Sequence, residues 1–452
     1  GARVERDAHA NVLAWLPGRG ALAGAETLAM LVHLDTAAGT HAVPSLQLTP
    51  AWSGDALPFP DAPGLRVDRA TFPNTADFLG QDLLHGRGAA PFGLDDKLGL
   101  AHMMTLAWLL AEHPELDHRP LVLVGRPDEE IGREDALFGL AERLADAGVR
   151  SGYTIDGFLP YEVNVANFNA ALGGVFFTHG DGVFTGARRV VRLHGVNTHG
   201  ATAKAEGHRA ATQLAGELVE ELARRGSSLA VDGFCSDHDR DCDALVGLRG
   251  HGPIDDALNA VIDPHRVRGA GWTLVSEPLR VTAAAESALR WVLKFLRSGP
   301  GFTVAAQDSE GWGGYSHPYR VLDSDEGLEL QIRLRDFDPA SLEARKAHVL
   351  AQAGDLPATT QDQYTNMAPR LSDRRDLVDD AVAAAKRLGI DAPETPIRGG
   401  TGIDPFLDRG IALANLGTGY FAPESEKEFT SMQALSGHAR WLLEIATAAP
   451  SG

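Results

Sequence analysis

The hydrophobic pattern changes its period along the chain. LAMLVHLDT (28–36) and PLVLVG (120–125) carry unbroken apolar runs, as strands buried on both faces of a parallel sheet require. YTIDG (153–157) is a shorter run that ends in an acid. Between the first two lies LGLAHMMTLAWLLAEH (98–113), apolar all round, which predicts a helix buried within the fold. Strand, helix, strand, helix, strand predicts a doubly wound α/β layer. The stretch from about 37 to 94 is rich in Pro, Gly and Asp and reads as a long loop region, a place where function concentrates.

The character changes near residue 187. ARRVVRLHG reads as a strand, and Ala211, Leu214, Leu218 and Leu222 then recur at helical spacing. LELQIRLRDFD (328–338) alternates like a half-exposed strand, and PASLEARKAHVLAQA follows as a helix. From about 369 the chain returns to helix, strand, helix, through LVDDAVAAAKRLGI, GIALANLG and SMQALSGHARWLLEIATAA. The predicted fold class is therefore α/β: a doubly wound domain (1–186 and 369–452) interrupted by a smaller α+β domain (187–368).

Bulk properties narrow the partners. With 452 residues, two or three domains of about 100–200 residues are expected. A net charge of −20 argues against nucleic acid or an anionic membrane as partner, and no apolar run is long enough to span a bilayer. Two cysteines, Cys235 and Cys242, imply no disulfide framework. The chain starts GARVERD, with neither methionine nor a signal-peptide pattern, and reads as a trimmed beginning. A cytoplasmic protein of enzyme size is the default expectation.

Metal-capable residues recur where strands and loops would meet the crevice at the carboxyl end of an open sheet. HLDT supplies His33 and Asp35, GLDDKLG supplies Asp95 and Asp96, PDEEIG supplies Glu129 and Glu130, and YTIDG supplies Asp156. A lone histidine after a strand is ordinarily a core residue, and DEE alone a solvated turn. Four such segments, each behind an apolar run, instead point to a metal site, since buried carboxylates need partners or cations. His33 offers an imidazole nitrogen, with Asp35 placed to hold the other. Asp95 would bridge two divalent ions, and Glu130 and Asp156 would complete one each. Glu129, beside a ligand, would act as general base, and Asp128 would orient the turn. A hydroxide shared by two metals attacks a carbonyl, so amide hydrolysis is the natural reaction class.

These residues resemble the peptidase T branch of the co-catalytic zinc peptidases, a family that includes carboxypeptidase G2. The resemblance runs in order through HLDT, GLDDKLG, PDEEIGR, YTIDG, NFNAA, HGVNTHGATAK, EGWGGY, RDFD, YTNM, IRGGT and EFTS. It implies a zinc-peptidase-like catalytic domain with an α+β lid, and a small peptide or N-acyl amino acid as substrate. A homodimer is among the arrangements it allows. It implies that His33, Asp95 and Asp156 bind one zinc, that Asp95 and Glu130 bind the other, and that the Asp95–Asp96 peptide is cis. His199 would stabilise the oxyanion from the lid, and Arg335, Arg398 and Asn366 would hold the substrate.

The sequence departs from that family in four places. In TGYFAPESEKEF the position of the last zinc-binding histidine falls on Glu424, an oxygen ligand that suits manganese or magnesium better than zinc. In RGGTGIDPF the aspartate after the threonine is Gly402. The lid gains residues at about 226–306, including CSDHDRDCDALVG, where a solvated acidic loop competes with a structural metal site. Within that insertion, AAAESALRWVLKFLR (283–297) reads as an amphipathic helix that would cap the active site or meet a partner subunit. Finally, the helix and strand with which the family begins are missing. A pseudoenzyme or a mono-metal relative is therefore the alternative to a dinuclear hydrolase.

Overall fold

The structure is a computed structural model that describes residues 2–37, 41–127, 129–131, 133–197, 206–236, 242–299 and 313–449, the Glu134 side chain excepted. The chain forms two compact units, one of residues 1–54, 75–167 and 365–452, the other of 55–74 and 168–364. It passes between them at 54/55, 74/75, 167/168 and 364/365, where the hydrophobic pattern placed two junctions, at 186/187 and 368/369.

The first unit is built on a seven-stranded sheet in the order Arg3–Arg6, Val12–Leu16, Leu121–Arg126, Leu28–His33, Ser151–Ile155, Ala412–Leu416, Val163–Asn164. The four strands Leu121–Arg126, Leu28–His33, Ser151–Ile155 and Ala412–Leu416 run parallel, and the outer ones are antiparallel. Both faces of the parallel strands are covered, which is why their sequences are continuously apolar. Register matters more than composition here. His33 pairs with Arg126 and Leu416 with Ile155, so all four strands end together. The segments leaving those carboxyl ends are delivered to one place.

The helix Leu94–Glu112 begins in that place. Its glycine at position 99 permits close approach, since a Cβ there would lie 2.1 Å from the Ile155 carbonyl oxygen. The helix was expected to be buried on every side. It buries one face, with Leu98, Met103, Leu106 and Leu110 in the core, and leaves Met104 and Trp108 exposed. Part of the loop region is also ordered. Gln47–Thr49 and Leu83–His85 join Tyr420–Phe421 and Phe429–Ser431 in a second, antiparallel sheet.

The second unit has two four-stranded antiparallel sheets. One orders Ala230–Cys235, Asp243–Gly250, Ala187–His194 and Gly271–Val275; the other orders Tyr315–Asp323, Gly327–Asp336, Asn169–Thr178 and Ala358–Tyr364. The helix Pro339–Ala353 starts at an Asp338 side chain that accepts from the Ser341 amide, as an N-cap does. The insertion helix Ala284–Arg297 has its apolar stripe, including Leu289, Val292 and Phe295, in this unit's own core. That stripe is consumed internally, which corrects the expectation of a cap or a partner surface.

Candidate metal centre

Around His33, the predicted ligands Asp95, Glu130 and Asp156 converge. His33 closes its strand and is almost fully buried; its Nε2 lies 2.8 Å from Asp95 Oδ1 and 3.9 Å from Asp156 Oδ2. Its Nδ1 faces the other way, 3.4 Å from Asp35 Oδ1. His33, Asp95 and Glu130 offer donor atoms that all lie within 4.8 Å of one another, and so do His33, Asp96 and Asp156. Asp156 follows Ile155 directly, and its amide donates to the Leu416 carbonyl at the end of the neighbouring strand.

Asp35 organises the ligand turn. One of its oxygens accepts from the Glu129 amide at 3.2 Å and the other from the Glu130 amide at 3.1 Å. The same carboxylate therefore orients His33 and the Glu129–Glu130 turn. Asp128 lies outside the described residues. Asp96 both faces and braces the cluster: a donor atom lies near His33 and Asp156, and its oxygens accept from the His33 amide and from the Gly99 amide. The Asp95–Asp96 peptide is cis.

Electrostatics mark this as a cation-demanding place. Burial, then Glu424 and Asp95, hold the Glu130 carboxyl far above its usual range. Burial and Asp156 likewise raise Asp95, with Glu424 adding to the effect. Burial lowers the His33 ring, but Asp35 and Asp95 more than offset it and leave it well above its ordinary value. Acids that repel one another in a dry site are relieved by a cation. The Glu130 Oε1 atom is buried and has no hydrogen-bond partner among the described residues, as an atom reserved for a metal would be. The donor set thus fits divalent ions: one imidazole and the carboxylates of Asp95, Glu130 and Asp156, with the Glu424 charge acting on Asp95 and Glu130.

Two residues that the sequence did not flag brace predicted ligand positions. Tyr420 donates its hydroxyl to Asp156 Oδ1 at 2.8 Å. Glu428 is 1% exposed, and its Oε2 accepts from the amides of Phe92, Gly93 and Leu94 while its Oε1 accepts from the Glu424 amide at 2.6 Å. One carboxylate thereby fixes both the start of the Asp95 helix and the Glu424 turn, where Glu424 takes a φ of 59°. The signal in the sequence was only an acid four residues after a ligand position.

Arg126 and Gly402 are coupled. The buried guanidinium donates to the Thr401 carbonyl at 2.9 Å and the Gly402 carbonyl at 3.3 Å, and its Nη2 is 3.5 Å from Glu129 Oε1. Gly402 has φ +58°, and a Cβ there would come within 2.4 Å of Arg126 Nη1. The residue that stands in the family's aspartate position is thus one that leaves room for an arginine.

The expected substrate-holding residues are less directly placed. Arg398 is buried in the first unit. Asn366 accepts the Asn167 and Ala368 amides with its side-chain oxygen, so it ties the backbone together there. Arg335, in the second unit, donates to the carbonyls of Ala171 and Leu334 and lies over the Tyr364 ring. His199 falls outside the described residues. No helix among the described residues is long and apolar enough to cross a membrane.

The chain is similar to known proteins. Peptidase T of Exiguobacterium sibiricum is 26% identical over 441 residues, covering 95% of this chain and 82% of that protein. A tripeptidase from Staphylococcus aureus superposes with a TM-score of 0.54 at 16% identity, covering 99% of this chain and 88% of that one. An aminopeptidase from Bacillus cereus gives 0.51 at 15%, with the same coverages. At such identities the two structural likenesses concern the fold. The sequence profile described as Peptidase family M20/M25/M40 matches residues 55–448, and the chain belongs to that family.

Proposed function

We propose that the chain is a metallo-aminopeptidase that binds two divalent ions in the first unit and hydrolyses the amino-terminal peptide bond of a small peptide, or a related N-acyl amide. The observation that carries this reading is the convergence of His33, Asp95, Glu130 and Asp156 at the ends of aligned strands, with Glu129 on the turn that Asp35 orients. His33, Asp95 and Asp156 would hold one ion, and Asp95, Glu130 and Glu424 the other. Bound there, divalent ions supply a Lewis acid that polarises a carbonyl and acidifies water.

The protein's own groups do the rest. Asp35 lies on the Nδ1 side of His33, at ion-pair distance, while Nε2 faces Asp95. Glu129 takes a proton from the attacking water and returns it to the departing amine. Arg126 holds the loop at Thr401–Gly402 against the same turn. His199, Arg335, Arg398 and Asn366 keep the roles that the family resemblance implies, oxyanion stabilisation for the first and substrate binding for the others.

Glu424 favours one alternative, a mono-metal or non-catalytic relative, because an all-carboxylate second site binds zinc less well than one with a histidine. Hydrolysis of a tripeptide panel by chelator-stripped protein, with zinc, manganese or magnesium added back, separates the two readings. Metal-restored turnover at two ions per chain, with one ion and the turnover lost in Glu424→Ala, supports the dinuclear peptidase. Metal binding without turnover on any peptide or N-acyl amino acid supports the alternative.

A further inference from the structure

The second unit carries a cluster that the hydrolytic site does not use. His194 is the last residue of its strand and pairs directly with Asp243, the first residue of the neighbouring strand. The imidazole Nδ1 lies 2.6 Å from Asp243 Oδ1. The Cys242 thiol lies 3.9 Å from the other Asp243 oxygen. All three donor atoms fall within 4.8 Å of one another. The Gly195 amide donates to the Cys242 carbonyl at 2.6 Å, so the backbone that carries the thiol is pinned to the strand that carries the histidine. Cys242 is fully buried, whereas the side chains of His194 and Asp243 are 34% and 22% exposed.

We propose that His194, Cys242 and Asp243 form a metal site for a zinc-like divalent ion. One nitrogen, one sulfur and one oxygen donor are held on a rigid antiparallel ladder, buried on the thiol side and open to water on the other. A tetrahedral ion at ordinary bond lengths needs N···O about 3.3 Å and S···O about 3.5 Å. The observed N···O separation of 2.6 Å is shorter than this and the S···O separation of 3.9 Å is longer, each to a different Asp243 oxygen, so binding would reorient the carboxylate. Thiolate with imidazole selects zinc over magnesium or calcium, and three protein ligands leave a fourth position for water or a further donor. An ordinary His194–Asp243 ion pair, with the Cys242 thiol donating to the same carboxylate, is the competing description.

Cobalt(II) decides between them, because a thiolate ligand gives an intense near-ultraviolet charge-transfer band that carboxylate and imidazole ligands do not. The chain has only two cysteines, and the centre in the first unit has none. Metal-depleted full-length protein with its thiols kept reduced would be titrated with cobalt(II). The band appears in the wild type and in Cys235→Ser, is lost in Cys242→Ser, and is bleached by zinc. In His194→Ala and Asp243→Asn, both at partly exposed positions, it requires at least tenfold more cobalt. A wild type that binds cobalt without the band overturns the proposal. So does a band that tracks Cys235. Should Cys242→Ser fail to fold, the other two variants decide: unchanged cobalt affinity in both also overturns it.

Discussion

Two histidines give the first unit a built-in sensitivity to acid. His102, on the helix Leu94–Glu112, stacks on His438, on the helix Met432–Thr447, with ring centroids 4.2 Å apart and planes 13° from parallel. Both are fully buried. Burial pushes His102 down to about 3, and burial, then the neighbouring ring, depress His438 well below its ordinary value. The unfolded chain takes up these protons below about pH 6.5, whereas the folded chain refuses them until far lower pH. Stability is therefore intact above pH 6.5 and falls as the pH drops towards 3. For His102 alone, moving from pH 7 to pH 5 costs about 2 kcal/mol, from 1.36 kcal/mol per unit of separation. The assay is urea unfolding of the wild type and of His102→Met at both pH values. Acid-sensitive groups remote from the pair contribute equally to both proteins and cancel, and His438 stays buried in the variant. The wild type should lose about 2 kcal/mol more than the variant. Identical pH dependence would show that the ring is protonated, or hydrated, in the folded state.

The supports around the metal centre give further expectations. Glu428→Gln points an amide NH2 at backbone donors; it should cost about 3 kcal/mol in urea unfolding and lower metal retention after dialysis, and unchanged values would refute its anchoring role. Tyr420→Phe removes the hydroxyl on Asp156 and should weaken metal affinity about tenfold in a competitive chelator titration, with little change in melting temperature. Gly402→Asp, which installs the family residue, should destabilise by about 1–3 kcal/mol because of its positive φ and the Arg126 guanidinium; Arg126→Ser should recover part of that loss in a double-mutant cycle, and simple additivity would sink the coupling.

Comparison of the chain with its structure shows which information is local. His33, Asp95, Glu130 and Asp156 were legible because each adjoins an apolar strand or helix, and parallel strands bring the residues at their carboxyl ends to one edge. Asp35 was legible as a partner two residues from a histidine. Glu428 and Tyr420 were not, because Phe92, Gly93, Leu94 and Asp156, which they hold, lie hundreds of residues away and nothing in TGYFAPESEKEF indicates which acid faces inward. The same holds for Arg126 with Gly402, and for His102 with His438. Helical periodicity found the insertion helix Ala284–Arg297, but could not say that its stripe would be covered by the unit's own strands and helices. Apolar composition overstated the burial of the helix Leu94–Glu112, since Met104 and Trp108 face solvent on its outer side.

In the proposed reaction Glu129 moves a proton while its neighbour Glu130 holds a metal. The most direct test measures peptide turnover and metal content together in Glu129→Gln, loaded in parallel with the wild type. Loss of turnover by a factor of about 100–10,000, with the same number of ions per chain, is the expected result. Turnover that survives the substitution would contradict the assignment of the base, and loss of an ion along with activity would make Glu129 a ligand instead.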